Sequence, residues 1–253
     1  MGVYGRRVGL KRVDVGVRAV APTYGKKALT TCVEKGGGPV VVDNNAERLV
    51  ALMLGFDPGV RSFKAQAFAV DLVEGRLLRT AEQRTEARRR YAKRKGASIY
   101  TPDFLAELSG GRALVIEVKL DAFLGDDDDE NRFRQATEVL ATYGHEFARV
   151  VIPSDTRHPL RSNVALLHHA ARRPDLQPDA QVVEQADELA AGGAQTLADY
   201  VSGLNISANL TPFLIVYGVL SADLVAHRIE GRTPVVAAGG CLDHLALVGR
   251  LLG

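Results

Sequence analysis

The sequence has no tryptophan, two cysteines and two methionines, and aromatic residues make up only 6% of it. Cys32 and Cys241 alone supply neither a disulfide framework nor a zinc ligand set. A reducing, cytoplasmic home is the plain expectation. No apolar run approaches the roughly 20 residues that span a bilayer. The opening stretch, MGVYGRRVGLKRVDV, lacks the apolar core of a secretory signal. Net charge is also scarce: 32 Lys+Arg stand against 30 Asp+Glu, for a total of +2. That total excludes a histone-like, uniformly basic protein.

What is present is unevenly placed. Residues 1–96 hold 20 Lys+Arg and 9 Asp+Glu, giving +11, and residues 97–253 carry −9. A basic half beside an acidic half points to a polyanion on one side. The 253 residues and 46% apolar content suffice for one large domain or two small ones with a packed core.

Residues 1–40 are rich in Gly, Arg and Lys and read as a basic arm with local strands at most. Asn44 or Asn45 can cap a helix over 46–54, with Glu47 in its first turn, where a carboxylate suits the helix dipole. Extended stretches follow near 60–66 and 67–73, then a turn at Glu74-Gly75-Arg76. Residues 84–95 carry seven basic residues and one acid, a run that reads either as a charged loop or as a salt-sensitive phosphate contact. Residues 100–108 and 113–120, joined by Ser109-Gly110-Gly111, form a β-hairpin pattern. The five acids at 126–130 read as a solvated loop. A helix over 131–144, a strand over 147–152 and a helix over 160–171 complete a mixed α/β unit. Beyond a linker at 174–178, short helices near 180–191, 196–204, 210–218 and 221–227 precede a strand over 233–238. This order fits a winged-helix-like module. Residues 174–253 hold three basic and nine acidic residues, so protein is a better partner for the module than a phosphate backbone.

The sharpest chemistry lies in Thr101-Pro102-Asp103-Phe104 and Val115-Ile116-Glu117-Val118-Lys119. Glu117 and Lys119 are two apart in a strand and share a face. A hairpin brings Asp103 near them. Two carboxylates and an ammonium then meet on an apolar scaffold. Hard oxygen ligands of this kind suit Mg²⁺, with Mn²⁺ as an alternative, and one or two carboxylates are enough. Such ions polarise a phosphate and activate a water for phosphodiester hydrolysis. Lys119, between carboxylates, suits electrostatic stabilisation better than the role of free base. Glu47 is the candidate third acid. Adjacent His168 and His169 diverge on a helix and are poor joint ligands.

Asp103…Glu117-Val118-Lys119 with an upstream Glu47 resembles the PD-(D/E)xK nuclease superfamily. Within it, the likeness is to the TnsA family, the endonuclease subunits of heteromeric cut-and-paste transposases. It extends over residues 44–172 and includes Phe56-Asp57-Pro58, Val60-Arg61-Ser62-Phe63, Gln66, Tyr100-Thr101 and Arg161-Ser162-Asn163-Val164. The resemblance implies a restriction-endonuclease-like α/β core over 41–173, after a basic arm at 1–40, and a small winged-helix-like domain over 179–253. It implies a bacterial, cytoplasmic enzyme that cuts double-stranded DNA at the 5′ ends of a transposon. The implied partners are a DDE transposase subunit, TnsB, and an AAA+ regulator, TnsC. Asp103, Glu117 and Glu47 would hold the metal, Lys119 would be the catalytic lysine, and Gln66 would lie near the site. Arg84, Arg88, Arg89, Arg90, Lys93, Arg94 and Lys95 are the candidate DNA contacts. Two alternatives stay open: a restriction or repair nuclease of the same superfamily, and a non-catalytic DNA-binding assembly subunit.

Overall fold

The computed structural model describes residues 29–252. The arm residues Arg6, Arg7, Lys11, Arg12, Lys26 and Lys27 lie outside the described residues. The chain begins with a hairpin of β1 (Leu29–Val33) and β2 (Gly38–Val42). Val33 and Val40 are buried in the core, so this part of the expected arm is integral to the fold.

Asn44 then opens α1 (Asn45–Phe56), its side chain accepting hydrogen bonds from the Ala46 and Glu47 amides. Those bonds satisfy amides that the helix itself cannot. Strand β3 (Val60–Ala65) follows. A small sheet of β4 (Ala69–Asp71), β5 (Arg76–Leu78) and β6 (Ile99–Tyr100) comes next, in the order β5-β4-β6. Between β5 and β6 the basic run forms α2 (Ala81–Arg90), contrary to the loop reading. Thr80 and Gln83 close its N-terminus with a reciprocal capping box.

The main sheet pairs β3, β7 (Phe104–Leu108), β8 (Ala113–Leu120) and β9 (His145–Ile152) in that order. Gly110 and Gly111, at φ +94° and +81°, make the turn between β7 and β8. Helix α3 (Asp127–Thr142) crosses from β8 to β9, which pair in parallel. It starts earlier than its apolar spacing indicates. Asp126 caps it, and Asp127, Asp128, Asp129 and Glu130 fill its first turn. The expected acidic loop is therefore a helix N-terminus, where negative charge complements the dipole.

The two faces of the main sheet feed different cores. Phe104, Ile116, Val150 and Ile152 pack with α1 and with α4 (Pro159–Ala171) through Val50, Leu54, Leu160 and Leu167. Val115 on the other face packs with Phe133, Ala136 and Leu140 of α3. Alternation along β8 therefore places Glu117 and Lys119 on the α3 side.

The remaining elements are α5 (Ala180–Ala191), α6 (Leu197–Gly203), α7 (Thr211–Val216), a hairpin of β10 (Leu220–Ala222) and β11 (Val235–Ala237), and a short α8 (Leu247–Arg250). The helix expected over 221–227 is absent. Leu220 and Ala222 pair with β11, and Asp223 accepts from the Val225 and Ala226 amides to turn the chain. The core around α1 and α4 continues without a break into Leu197, Tyr200, Phe213, Ile215 and Leu247. Fully buried Asn163 of α4 ties the two regions. Its amide donates to the Leu224 and His227 carbonyls at 2.8 and 2.7 Å, and its oxygen accepts from Ile229 N at 3.0 Å. The chain end pairs with the sheet edge, Val151 N donating to Leu251 O at 2.9 Å. Among the described residues no helix is long and apolar enough to cross a membrane.

Candidate active site

Asp103 sits immediately before β7, where Pro102 keeps the preceding chain extended. Its amide donates to Ile116 O at 3.1 Å, and its Oδ2 accepts from Val118 N at 2.7 Å. These two bonds fix the carboxyl against β8 beside Glu117. Burial pushes the Asp103 carboxyl well above its ordinary value of 3.8, and the nearby charges of Glu117 and Glu47 push it the same way.

Glu117 is buried and held from two sides. Its Oε2 accepts from the Tyr100 hydroxyl at 2.6 Å, and its Oε1 lies 3.2 Å from Lys119 Nζ. Burial and the Glu117 charge raise Tyr100 well above its ordinary value of 10.0, so its hydroxyl stays a donor. Lys119 Nζ also lies 3.6 Å from Asp129 Oδ2 and 4.9 Å from the centre of the Phe133 ring. Asp129 is in turn fixed by Asp126, whose Oδ1 accepts from the Asp129 amide at 2.9 Å, and by an ion pair with Arg132.

The expected grouping of Asp103, Glu117 and Lys119 is thus assembled by β7 and β8. Glu47 lies close enough to act on the charge of Asp103, but its carboxylate is turned towards its own helix start. Oε2 accepts from Asp43 N at 2.8 Å and Oε1 from Asn44 Nδ2 at 2.5 Å. Among the described residues no three His, Cys, Asp or Glu side chains converge as a metal-holding group. Gln66 is buried, with its amide donating to Asp103 O at 2.8 Å and its Nε2 to Asp43 Oδ2 at 3.4 Å. It holds φ at +46°, a backbone strain that a non-glycine residue sustains only when its surroundings impose it.

Sequence reasoning missed Tyr100 and Asp129. Tyr100 stood inside the Tyr-Thr-Pro-Asp-Phe string as a plain strand residue. Asp129 was hidden in the acid run; its start at a helix N-terminus was the available signal.

Beside Lys119 opens a cleft of about 420 Å³, lined by Asn44 and Ala46 at the start of α1, Lys119, Phe123 and Arg161. Arg161 is the cation of its lining; the Lys119 ammonium lies on the α3 side with Glu117 and Asp129, and the first amides of α1 are capped by Asn44. A larger groove of about 770 Å³ along α5 and α6 shares no lining residue with the carboxylates and carries the acids Glu188 and Asp199.

The basic run divides in two. Arg84 is buried under α2, and Arg90 pairs with Glu74 and Glu86. The Tyr91 hydroxyl bonds both oxygens of buried Asp71 at 3.1 Å and so anchors the helix end. Arg88, Arg89, Lys93, Arg94 and Lys95 are exposed and make no ion pair among the described residues. The sequence matches no protein-family model and no curated protein.

Proposed function

We propose that the protein is a divalent-metal-dependent DNA endonuclease of the TnsA type, cutting at the 5′ ends of a transposon beside a DDE transposase subunit. The observation that carries this reading is the meeting of buried Glu117 with half-buried Asp103 and Lys119. Outside a functional site, like-charged carboxylates forced together and partly out of water are a burden to the fold. The donor set fits Mg²⁺ or Mn²⁺: two carboxylates suffice, and Asp103 Oδ1 accepts no hydrogen bond among the described residues. Asp103 and Glu117 would hold the ion, with Glu47 adding negative charge behind Asp103. The bound ion would activate water and neutralise charge on the scissile phosphate.

The chain's own groups have distinct tasks. Tyr100 fixes the Glu117 carboxylate by donating to one oxygen. Val118 N fixes Asp103. Lys119 presents an ammonium to the developing charge, and Asp129 steadies it from α3. The exposed cations after α2 hold the phosphate backbone without reading sequence. The α5–α7 and β10–β11 order supports a winged-helix-like role, and its acidic composition favours contact with a protein such as the AAA+ regulator TnsC.

The test is magnesium-dependent cleavage of transposon-end DNA in the presence of the transposase TnsB. Asp103→Ala should abolish it, and undiminished cleavage would overturn the assignment. A second reading, a DNA-binding assembly subunit without catalysis, draws on the inward turn of Glu47. It predicts DNA binding that survives Asp103→Ala and Lys119→Ala, with no cleavage by the wild type.

A further inference from the structure

Helices α1 and α4 pack side by side on the face of the main sheet away from α3. Ala46 and Arg161 line one cleft at their starts, and at the far end a Cβ on Gly55 would lie 4.0 Å from His168 Nδ1. The two helices therefore point the same way. On α4, Arg161, Ala165, His168 and Arg172 recur at helical spacing and form one stripe beside the buried line of Leu160, Val164 and Leu167. On α1 the exposed side chains are Asn45 and Arg48. The seam between them is cationic, and its cations are uncommitted. Arg48 and Arg172 are exposed and make no ion pair among the described residues. Arg161 donates to the backbone carbonyls of Pro153 and Asp155, at 2.7 and 3.2 Å, rather than to a carboxylate. Helix α4 contains no Asp or Glu, and the one acid of α1, Glu47, is turned towards its own helix start. Asp175, just beyond α4, is taken by Arg173 at 2.8 and 2.7 Å. Burial holds the half-buried His168 ring below its ordinary value of 6.5, and the charges of Arg172, Arg48 and His169 push it the same way against its hydrogen bond to the Cys32 carbonyl. The ring thus registers a positive potential in the seam.

We propose that the seam of α1 and α4 is a second contact surface for the phosphate backbone of duplex DNA, through Arg48, Arg161 and Arg172, an inference that rests on the DNA substrate of the proposed function. Charge selects this occupant: guanidinium groups without carboxylate partners offer their donors to phosphate. A protein partner would need an apolar centre, and the exposed residues of the seam, Asn45, Arg48, Ala165 and Arg172, supply no large apolar side chain. The length agrees. From Arg161 to Arg172 the helix rises about 16 Å, a distance over which one DNA strand presents about five phosphates. The stripe starts at Arg161 in the cleft beside Lys119, so a strand lying along it leads to the acid–lysine grouping. Helix α2 packs on the small sheet, on the α3 side of the main sheet. Its cations and the seam would therefore hold a duplex from two sides, without reading a base edge.

The test is binding of a labelled, mixed-sequence duplex by the full chain in EDTA, where nothing is cut, followed by anisotropy at several salt concentrations. Arg48→Ala with Arg172→Ala, both at exposed positions, should leave Tm unchanged. The pair should weaken affinity by about tenfold and lower the slope of log affinity against log salt by about two. Arg112→Ala with Arg134→Ala removes the same charge from exposed ion pairs elsewhere. That pair should leave affinity within about twofold of the wild type, because salt screens charges beyond a Debye length. Unchanged affinity in the first pair, an equal loss in the second, or a wild type that does not bind the duplex would each overturn the proposal. Magnesium-dependent cleavage by the wild type with TnsB, measured separately, decides the nuclease reading. Cleavage with binding indifferent to Arg48 and Arg172 refutes the seam alone. Binding that depends on them, with no cleavage, refutes the nuclease reading and leaves the seam standing.

Discussion

At the scale of single residues, Asp103 concentrates the tension in the structure. Its carboxyl is held well above 3.8 by burial and by two acidic neighbours. Below that ordinary value the folded and unfolded chains both hold the proton. As pH rises through the window between 3.8 and the raised folded value, the unfolded chain releases its proton first, and stability falls. Asp103→Asn removes this loss. Its metal-free protein should therefore melt higher at neutral pH, by at least the roughly 2–4 °C that 1 kcal/mol gives in a chain of this size, with the gain vanishing in acid. Calorimetry against pH checks the sign, and a lower Tm at neutral pH would refute it. Asp129 is the other residue whose part became visible only in three dimensions. Lys119 and Asp129 meet because the tight turn after β8 folds α3 back over the strand. Asp129→Ala should lower kcat for cleavage by about tenfold while KM for DNA holds. An unchanged kcat would remove Asp129 from the machinery.

At the scale of elements, legibility followed local periodicity. The β7–β8 hairpin was readable because Gly110-Gly111 punctuates two alternating runs, and α1 because Asn44 precedes an apolar stripe. Helix α2 was not readable that way: Ala87 is its one small buried apolar residue, and Arg84 fills the other inward position. Its Thr80-x-x-Gln83 capping box was the signal available. The start of α3 was lost because five acids look solvated unless the helix dipole is weighed. The β10 strand was taken for helix because its partner, β11, lies more than ten residues away and local propensity cannot see it. The split within the basic run gives a paired prediction. Arg84→Ala should lower Tm with little change in DNA affinity per folded molecule. Arg88→Ala with Arg89→Ala should leave Tm unchanged, weaken binding and reduce the salt dependence of affinity by about two counterions. Melting curves and binding isotherms at several salt concentrations separate the two.

At the scale of the molecule, the expected division into a nuclease unit and an appended module meets one continuous core. Asn163, the α7 packing and the Leu251 contact with β9 join the halves. Sequence composition marks a change of charge near residue 174, but charge on the surface does not report whether the interior is shared. A chain cut at 173 should fail to fold, since it would expose the core residues that α7 and α8 cover; a cooperative melt of that fragment would show that the halves are independent. On the proposed function the basic surface would serve DNA and the acidic one a protein, both carried on one continuous core. The account stands or falls on its acid–lysine grouping, and the most direct test is strand cleavage of transposon-end DNA with TnsB and Mg²⁺, comparing the wild type with Lys119→Ala. The account predicts cleavage by the wild type only, at a rate at least about a hundredfold above the variant. Equal rates, or no metal-dependent cleavage by the wild type, would contradict it.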